Sequence, residues 1–528
     1  MPNPKARPSD EATIRATATA GCVGNAKPWV LAVTILASTI SYIDESVVNI
    51  ALPTIEADLQ APAAIVQWLV NAYMLSLTAL VLVGGAAGDQ LGRRRIFVIG
   101  ITLFAAASLW CGLAPDVAHI ILARLVQGVG AALLIPCALA LIGATFEESE
   151  RGRAIGTWAA FAAISTACGP LLGGWIVDHA SWRWIFLINP LLALPTIAIA
   201  LRHVPESRDP RAAPGLDWVG ALLALFGLGG LVYGLIEAPV RGFADARVLV
   251  ALAAGAALLA AFVAHERRSR APMMPLALFR SRVFAGINLA TLTLYAALGG
   301  AFFLLPFLLI EVHGFSATLA GATFLPFTLI MAGMSRWAGG LIDRVGARPA
   351  LIVGPAIAAV GFATLALTPA DSGYAGLMPA VIVLGLGMVV TVAPLTTTVI
   401  NAVPEPQAGL ASGINNAVAA LASMLAIAIL GAVALNAHDR ALARQMAAPS
   451  LSADARQALA QARGKFAADL PLQGEDRKVA REIVRQSLHE GIDLALWLAA
   501  ALALLAALCA ALTIPPTRKQ PATHPASA

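Results

Sequence analysis

Gly85-Ala-Ala-Gly-Asp89-Gln-Leu-Gly92-Arg93-Arg94-Arg95 closes one apolar run and opens the next. Glycines let a helix stop and the chain reverse within a few residues. Asp89 can cap the following helix and pair with the arginines beside it. A tight turn with a basic anchor would need no more than this. The pattern returns, however, as Gly339, Asp343, Gly346 and Arg348, each 254 positions beyond Gly85, Asp89, Gly92 and Arg94. So long and constant an offset predicts a duplicated half, with each copy closing the second apolar span of its half.

The runs around the pattern fit that reading. Hydrophobic types make up 59% of the 528 residues and charged types 12%, with a mean hydropathy of +0.79. A soluble domain carries about 25% charged residues, so this composition cannot cover soluble surfaces of such extent. Stretches of roughly 20 apolar residues recur, each long enough to cross a bilayer as a helix. Fourteen of them lie between residues 28 and 514. A soluble enzyme, a nucleic-acid-binding domain and a secreted disulfide scaffold are excluded. The net charge of +5 is therefore read as membrane orientation, not nucleic-acid affinity. The five cysteines show no disulfide or metal spacing, and the eight histidines all fall in or beside loops.

Lysines and arginines in the short loops set the orientation. Arg93–Arg95, Arg151, Arg153, Arg202, Arg208, Arg267, Arg268, Arg280, Arg282, Arg344 and Arg348 share one side with both tails, whereas the opposite short loops hold Arg183, Arg241 and Arg247. The basic side is read as cytoplasmic, which requires an even number of spans. The expected organisation is all-α. It runs from a cytoplasmic tail (1–27) through a six-span half (28–201), an inserted span pair with its linkers (202–283) and a second six-span half (284–514) to a second tail (515–528). Residues 437–490 are expected as a long outer loop between spans at 409–436 and 491–514, with short amphipathic helices on either side of Pro471. That loop reads as a solvated hairpin, or else as a lid or docking surface. The tenth span is expected as one run, 317–341.

Charges inside apolar spans are expensive and point to function. The first span holds Asp44 and Glu45, and the fourth holds Arg124-Leu-Val-Gln127-Gly128-Val-Gly130. Snorkelling to a surface is the plain alternative for Arg124. At about 100° per residue the two acids face different ways. Glu45 falls on a polar stripe with Thr34, Ser38, Ser41, Tyr42 and Asn49, while Asp44 points toward Ala37, Ile40, Val48 and Ala51. The fifth span carries Gly169-Pro170-Leu-Leu-Gly173-Gly174, which breaks regular helix geometry and allows close helix approach. A binding cavity is expected near mid-membrane between the halves. Its candidate lining is Trp68, Asn71, Tyr73, Asn288, Tyr295, Phe302, Asn415 and Asn416, although packing or helix–helix hydrogen bonding explains each equally well. Arg336 is a further buried-charge candidate, with Asp343 as its nearby pairing partner.

These motifs resemble the major facilitator superfamily. The Gly85–Arg95 loop is similar to that family's signature between its second and third helices, with Gln90 in place of a basic residue. The resemblance implies a gating role for Gly85, Asp89, Gly92, Arg93 and Arg94, and for Asp343, Gly346 and Arg348 in the second copy. The Arg124–Gly130 segment resembles the family's fourth-helix motif, in which the arginine takes part in proton transfer. Gly169, Pro170, Gly173 and Gly174 resemble the antiporter motif of exporters. Asp44 followed by Ala51-Leu52-Pro53 resembles the first-helix motif of the fourteen-helix drug:proton antiporters, which gives Asp44 the proton-coupling position and Glu45 second place.

The function expected is proton-driven export of hydrophobic or amphiphilic small molecules across the cell (inner) membrane. The alternatives are an exporter of one endogenous metabolite or antibiotic, a transporter-like sensor, or a membrane-embedded enzyme. No phosphate-binding Gly-rich Lys loop, nucleophile–base pair or ligand cluster is legible. No cofactor, metal or nucleic acid is therefore expected, and the energy would come from an ion gradient, which the resemblance makes a proton gradient. The partners expected are the substrate and the bilayer. A periplasmic adaptor is left open, with a monomer otherwise.

Overall fold

The computed structural model describes residues 10–209, 215–269, 272–404, 407–447, 451–468 and 470–515, with backbone alone at 10–25, 148, 335–336, 339 and 341–344. The ends of both tails, the side chains of Arg336 and Asp343, and the packing of Gly339 lie outside what is described.

Sixteen α-helices follow one another, and no strand occurs among the described residues. They are α1 (Asp10–Leu59), α2 (Ala63–Leu91), α3 (Arg93–Leu113), α4 (Val117–Thr145), α5 (Glu148–His179), α6 (Trp184–His203), α7 (Trp218–Arg241) and α8 (Ala246–Arg268). Then come α9 (Arg282–Phe307), α10 (Ala317–Ala322), α11 (Leu325–Val345), α12 (Ala347–Ala366), α13 (Tyr374–Asn401), α14 (Ala408–Met446), α15 (Ala453–Ala462) and α16 (Gly474–Thr513). Among the described residues, fourteen segments are long and apolar enough to cross a membrane.

Capping residues set many of the starts. Asp116, Asp217, Asp245, Ser281, Ser316 and Ser452 each accept a hydrogen bond from a first-turn N–H, a contact worth about 1 kcal/mol. The repeated turn is visible in the backbone. Gly92 separates α2 from α3 at φ 118°, and Gly346 separates α11 from α12 at φ 84°. Both need a left-handed backbone that other residues adopt at a cost.

Helices α1–α6 pack on one another, as do α9, α11–α14 and α16. The two groups meet along two seams, α2 against α14 and α1 and α5 against α9–α11. The α7–α8 hairpin leans on α2 and α14. Large apolar side chains such as Leu113, Phe226, Leu329 and Leu512 stay exposed on the outside of the bundle, as lipid-facing positions require.

Three expectations are corrected. The tenth span is broken, because α10 stops at Ala322 and α11 restarts at Leu325. Pro326 has no N–H to continue the ladder and instead suits a first helical turn. The stretch 437–490 is more continuously helical than two short helices beside Pro471. Helix α14 runs on to Met446 and α16 already begins at Gly474, leaving α15 as the one separate short helix. The Ala, Leu, Arg, Gln and Glu content of those extensions favours helix once they leave the apolar zone. Lastly, His438 does not lie at a loop; it is fully buried inside α14.

Candidate functional site

Five helices bring one polar cluster together in the first half. Asp44 on α1 accepts from Arg124 Nη1 on α4 at 2.6 Å, from Gln127 Nε2 at 2.9 Å and from Asn189 Nδ2 on α6 at 2.7 Å. Arg124 also donates to Leu69 O on α2 (3.1 Å) and to Gln127 Oε1 (2.9 Å), and its guanidinium lies 4.3 Å from the centre of the Tyr73 ring. The Tyr73 hydroxyl shares a hydrogen bond with Ser41, and Asn189 donates to Ser108 on α3. Arg124 is 1% exposed and Asp44 0%. Snorkelling is thus excluded for Arg124. Small residues make the approach feasible, since a side chain at Gly128 would strike Ser76 and Tyr73.

The expectation that Asp44 faces apolar neighbours is corrected here. Its own helix offers Ala37, Ile40, Val48 and Ala51 on that face, but α4 and α6 bring Arg124, Gln127 and Asn189 to it. The periodicity of one helix says nothing about the polar groups of its partners.

Glu45 turns the other way. A cavity of about 800 Å³ lies between α1, α2, α4, α5, α9 and α14, and Tyr42, Glu45 and Asn49 form part of its wall. The C-terminal half of the polar stripe does contribute lining, whereas Thr34, Ser38 and Ser41 are buried against neighbouring helices. The remaining wall is largely apolar, and among the described residues Glu45 is its one charged residue, with no Lys, Arg or His. The cavity reaches Gly85 on α2 and Gly409 on α14, at the end of the bundle that carries the Gly85–Arg95 loop.

Of the eight proposed lining residues, Tyr295, Phe302 and Asn416 border this cavity. Trp68 is half-buried in the core, while Asn71 and Tyr73 are fully buried. Asn415 donates to Asn288 at 3.1 Å and to Thr291 at 2.8 Å. That pair ties α14 to α9, the helix–helix role that competed with lining.

The opposite end is closed. Gly173 packs on Val47 and Ile50 of α1, Gly174 on the backbone of Ala317, and Gly321 on the backbone of Pro170. The Gly-Pro motif therefore forms the seam between α5 and α10. Asp178, which sequence reasoning missed, accepts from the backbone N–H groups of Ala317 (3.1 Å) and Thr318 (2.7 Å), capping α10 across the two halves. Beside it, Glu56 accepts from Phe466 N–H at 2.7 Å, Ala63 N–H donates to Gly464 O, and the Phe466 ring packs against Phe303 and Phe307. A Gly174→Val substitution would drive a branched side chain into the α10 backbone. It is expected to hold this seam open and stop turnover, seen as increased outside labelling of a cysteine placed at Thr318.

The Gly85–Arg95 loop forms a latch of its own. Asp89 Oδ1 accepts from Arg93 Nε at 2.9 Å. The Glu206 carboxylate, another residue missed from sequence, accepts from the N–H groups of Arg94 and Arg95, and Arg94 Nη1 donates to Val204 O. The loop thereby grips the segment that follows α6. In the second copy, Arg348 Nη2 donates to Ala511 O on α16.

Comparison with known proteins adds the following. The Major Facilitator Superfamily model matches residues 34–427. Multidrug resistance protein Stp of Mycobacterium tuberculosis is 37% identical over 74% of this chain and 73% of its own. The tetracenomycin C resistance and export protein of Streptomyces glaucescens is 35% identical over 79% and 77%. The puromycin resistance protein of Streptomyces alboniger is 36% identical over 81% and 85%. Among solved structures, a bacterial homolog of the human lysosomal transporter Spinster, in an inward-facing and unoccupied conformation, superimposes with a TM-score of 0.63 at 16% identity. It covers 92% of this chain and 97% of its own, a likeness of fold.

Proposed function

Because this chain belongs to the major facilitator superfamily, we propose that its cavity and buried ion pair work together as a proton-driven exporter of hydrophobic or amphiphilic small molecules. It is a multi-pass membrane transporter of the drug-efflux kind, as its named multidrug and antibiotic resistance relatives support. One observation carries the coupling: Glu45 lines the cavity while Asp44, the next residue, holds Arg124 at 2.6 Å behind the wall. A substrate touching α1 in the cavity therefore acts on the same helix that carries the ion pair.

In this reading the proton exchanges at Asp44. Protonation cancels the attraction for Arg124 and frees α1 to move against α4. No cofactor is needed, and the proton gradient is the energy source. The inserted pair 202–283 is an addition to two six-span halves, 28–201 and 284–514. A wall with one carboxylate, no basic residue and mostly apolar lining suits neutral or cationic amphiphiles. A relative named for tetracenomycin C export keeps a dedicated antibiotic exporter as the second reading.

Cells expressing the protein are expected to accumulate less of a fluorescent lipophilic cation, with the difference removed by a protonophore. Depleting ATP while the proton gradient is held should leave it intact, and efflux that follows ATP would overturn the reading. Both termini and the loop at Arg95 belong on the cytoplasmic side in this scheme. Reporter fusions at Arg95 and at the C-terminus should read as cytoplasmic, and a fusion within 451–468 as external.

Glu45→Gln removes the only charge that the described residues place on the cavity wall. It is expected to weaken lipophilic cations about tenfold more than neutral amphiphiles, since the lost charge-assisted contact is worth roughly 1.5–3 kcal/mol. Equal loss for both classes would remove Glu45 from substrate recognition.

A further inference from the structure

Two carboxamides on α2 are buried without partners. Gln67 and Asn71 are both 0% exposed, and among the described residues no protein group bonds to either atom of either amide. Buried amides are ordinarily hydrogen-bonded, because an unpaired one keeps the cost of leaving water. Two in succession, four atoms in all, call for an explanation in some other state of the protein.

Their position supplies it. On α2 the cavity is lined by a face that runs from Val70 to Gly85 and includes Met74, Thr78 and Leu82. These lie three or four residues apart and so form one stripe of the helix. Asn71 flanks that face beside Val70, three residues before Met74, and Gln67, three residues before Val70, carries the stripe one turn beyond the outermost lining residue. The facing wall behaves alike. On α14, Asn416, Ala420, Ser423 and Ile427 line the cavity, and Gly431 is the next position along. There the walls meet, and a Cβ on Gly431 would come within 2.9 Å of the Gln67 amide. The α2–α14 seam joins the two halves. When the outer end opens, Gln67, Asn71 and Gly431 become the outward extension of the cavity wall.

We propose that Gln67 and Asn71 form a release-side subsite that hydrogen-bonds uncharged polar groups of the substrate, such as carbonyl, hydroxyl or amide groups, once the α2–α14 seam parts. The inference rests on the exporter reading above. A carboxamide offers both donor and acceptor and carries no charge. The subsite thus recognises what Glu45 cannot, and it favours substrates whose apolar body bears neutral hydrogen-bonding groups over those that carry charge alone.

The test uses two lipophilic cations, doxorubicin, which bears hydroxyl and carbonyl groups, and tetraphenylphosphonium, which has none. Efflux of each is measured in cells expressing the wild type, Gln67→Met, Asn71→Leu or Asn71→Ser. The ratio of doxorubicin to tetraphenylphosphonium efflux should fall about tenfold in Gln67→Met and Asn71→Leu and less in Asn71→Ser. An unchanged ratio, whether both rates fall or both persist, overturns the subsite. A wild type that exports neither compound overturns the exporter reading instead. A second arm needs no rate ratio. With the native cysteines replaced, Asn71→Cys should be labelled by a membrane-impermeant maleimide from outside during pumping, and doxorubicin should protect it. Absence of outside labelling contradicts the proposal directly.

Discussion

Arg124→Ala is expected to reduce efflux to the level of cells without the transporter while the protein still reaches the membrane. The guanidinium ties together three helices through Asp44, Gln127 and Leu69 O, and no other cation bonds to Asp44 among the described residues. Removing one partner of a buried pair costs about 3–5 kcal/mol, because the other charge is left uncompensated. If only the lower figure acted against one conformer of the cycle, its population would change on the order of 100-fold. Arg124→Lys should restore little, since a single ammonium cannot serve a carboxylate, an amide and a carbonyl in fixed directions. The stability loss can be separated from the transport loss. Asp44→Asn added to Arg124→Ala removes the stranded charge, so thermal stability should recover toward the wild type while efflux stays absent. Additive stability losses in the double variant would show that the two residues do not act as a pair.

Asp44→Asn alone carries the second large effect. The amide keeps the shape of the side chain and its oxygen can still accept hydrogen bonds, but it cannot exchange a proton. Transport against a concentration gradient should disappear. Substrate binding to the cavity should persist, because Asp44 is buried behind the wall that Glu45 presents. In proteoliposomes this appears as lost response to an imposed pH gradient, with a dissociation constant for a lipophilic cation within about threefold of wild type. If Asp44→Asn still pumps uphill while Glu45→Gln does not, the proton site is Glu45.

Much of the architecture was legible because membrane spans leave a strong periodic record. Apolar runs, loop arginines and the 254-residue repeat of Gly92 as Gly346 required only local patterns. The break at Pro326 was missed because the apolar run continues straight through it, and the hydropathy signal does not register a missing N–H. The helical extensions beyond Asn436 and before Gly491 were missed for the opposite reason, since polarity rises there while helix propensity does not fall. Within the site, the polar stripe of α1 correctly directed Glu45 to the cavity, being a property of one helix. Which helices lie behind Asp44 is a property of the whole bundle. Tyr73, Asn288 and Asn415 show the same limit, as aromatic and amide groups suit a binding wall and a helix seam alike. Asp178 and Glu206 gave no signal of their own, because their partners are backbone N–H groups of segments distant in sequence.

The central claim is that substrate and proton act on one another through α1. It is tested most directly by adding a lipophilic cation to purified protein in detergent, in weakly buffered solution at mildly acidic pH, and recording the pH. The account predicts that the wild type releases protons in proportion to the substrate bound and that Asp44→Asn binds substrate without releasing any. Binding with no proton release by the wild type, or undiminished release by Asp44→Asn, would contradict it.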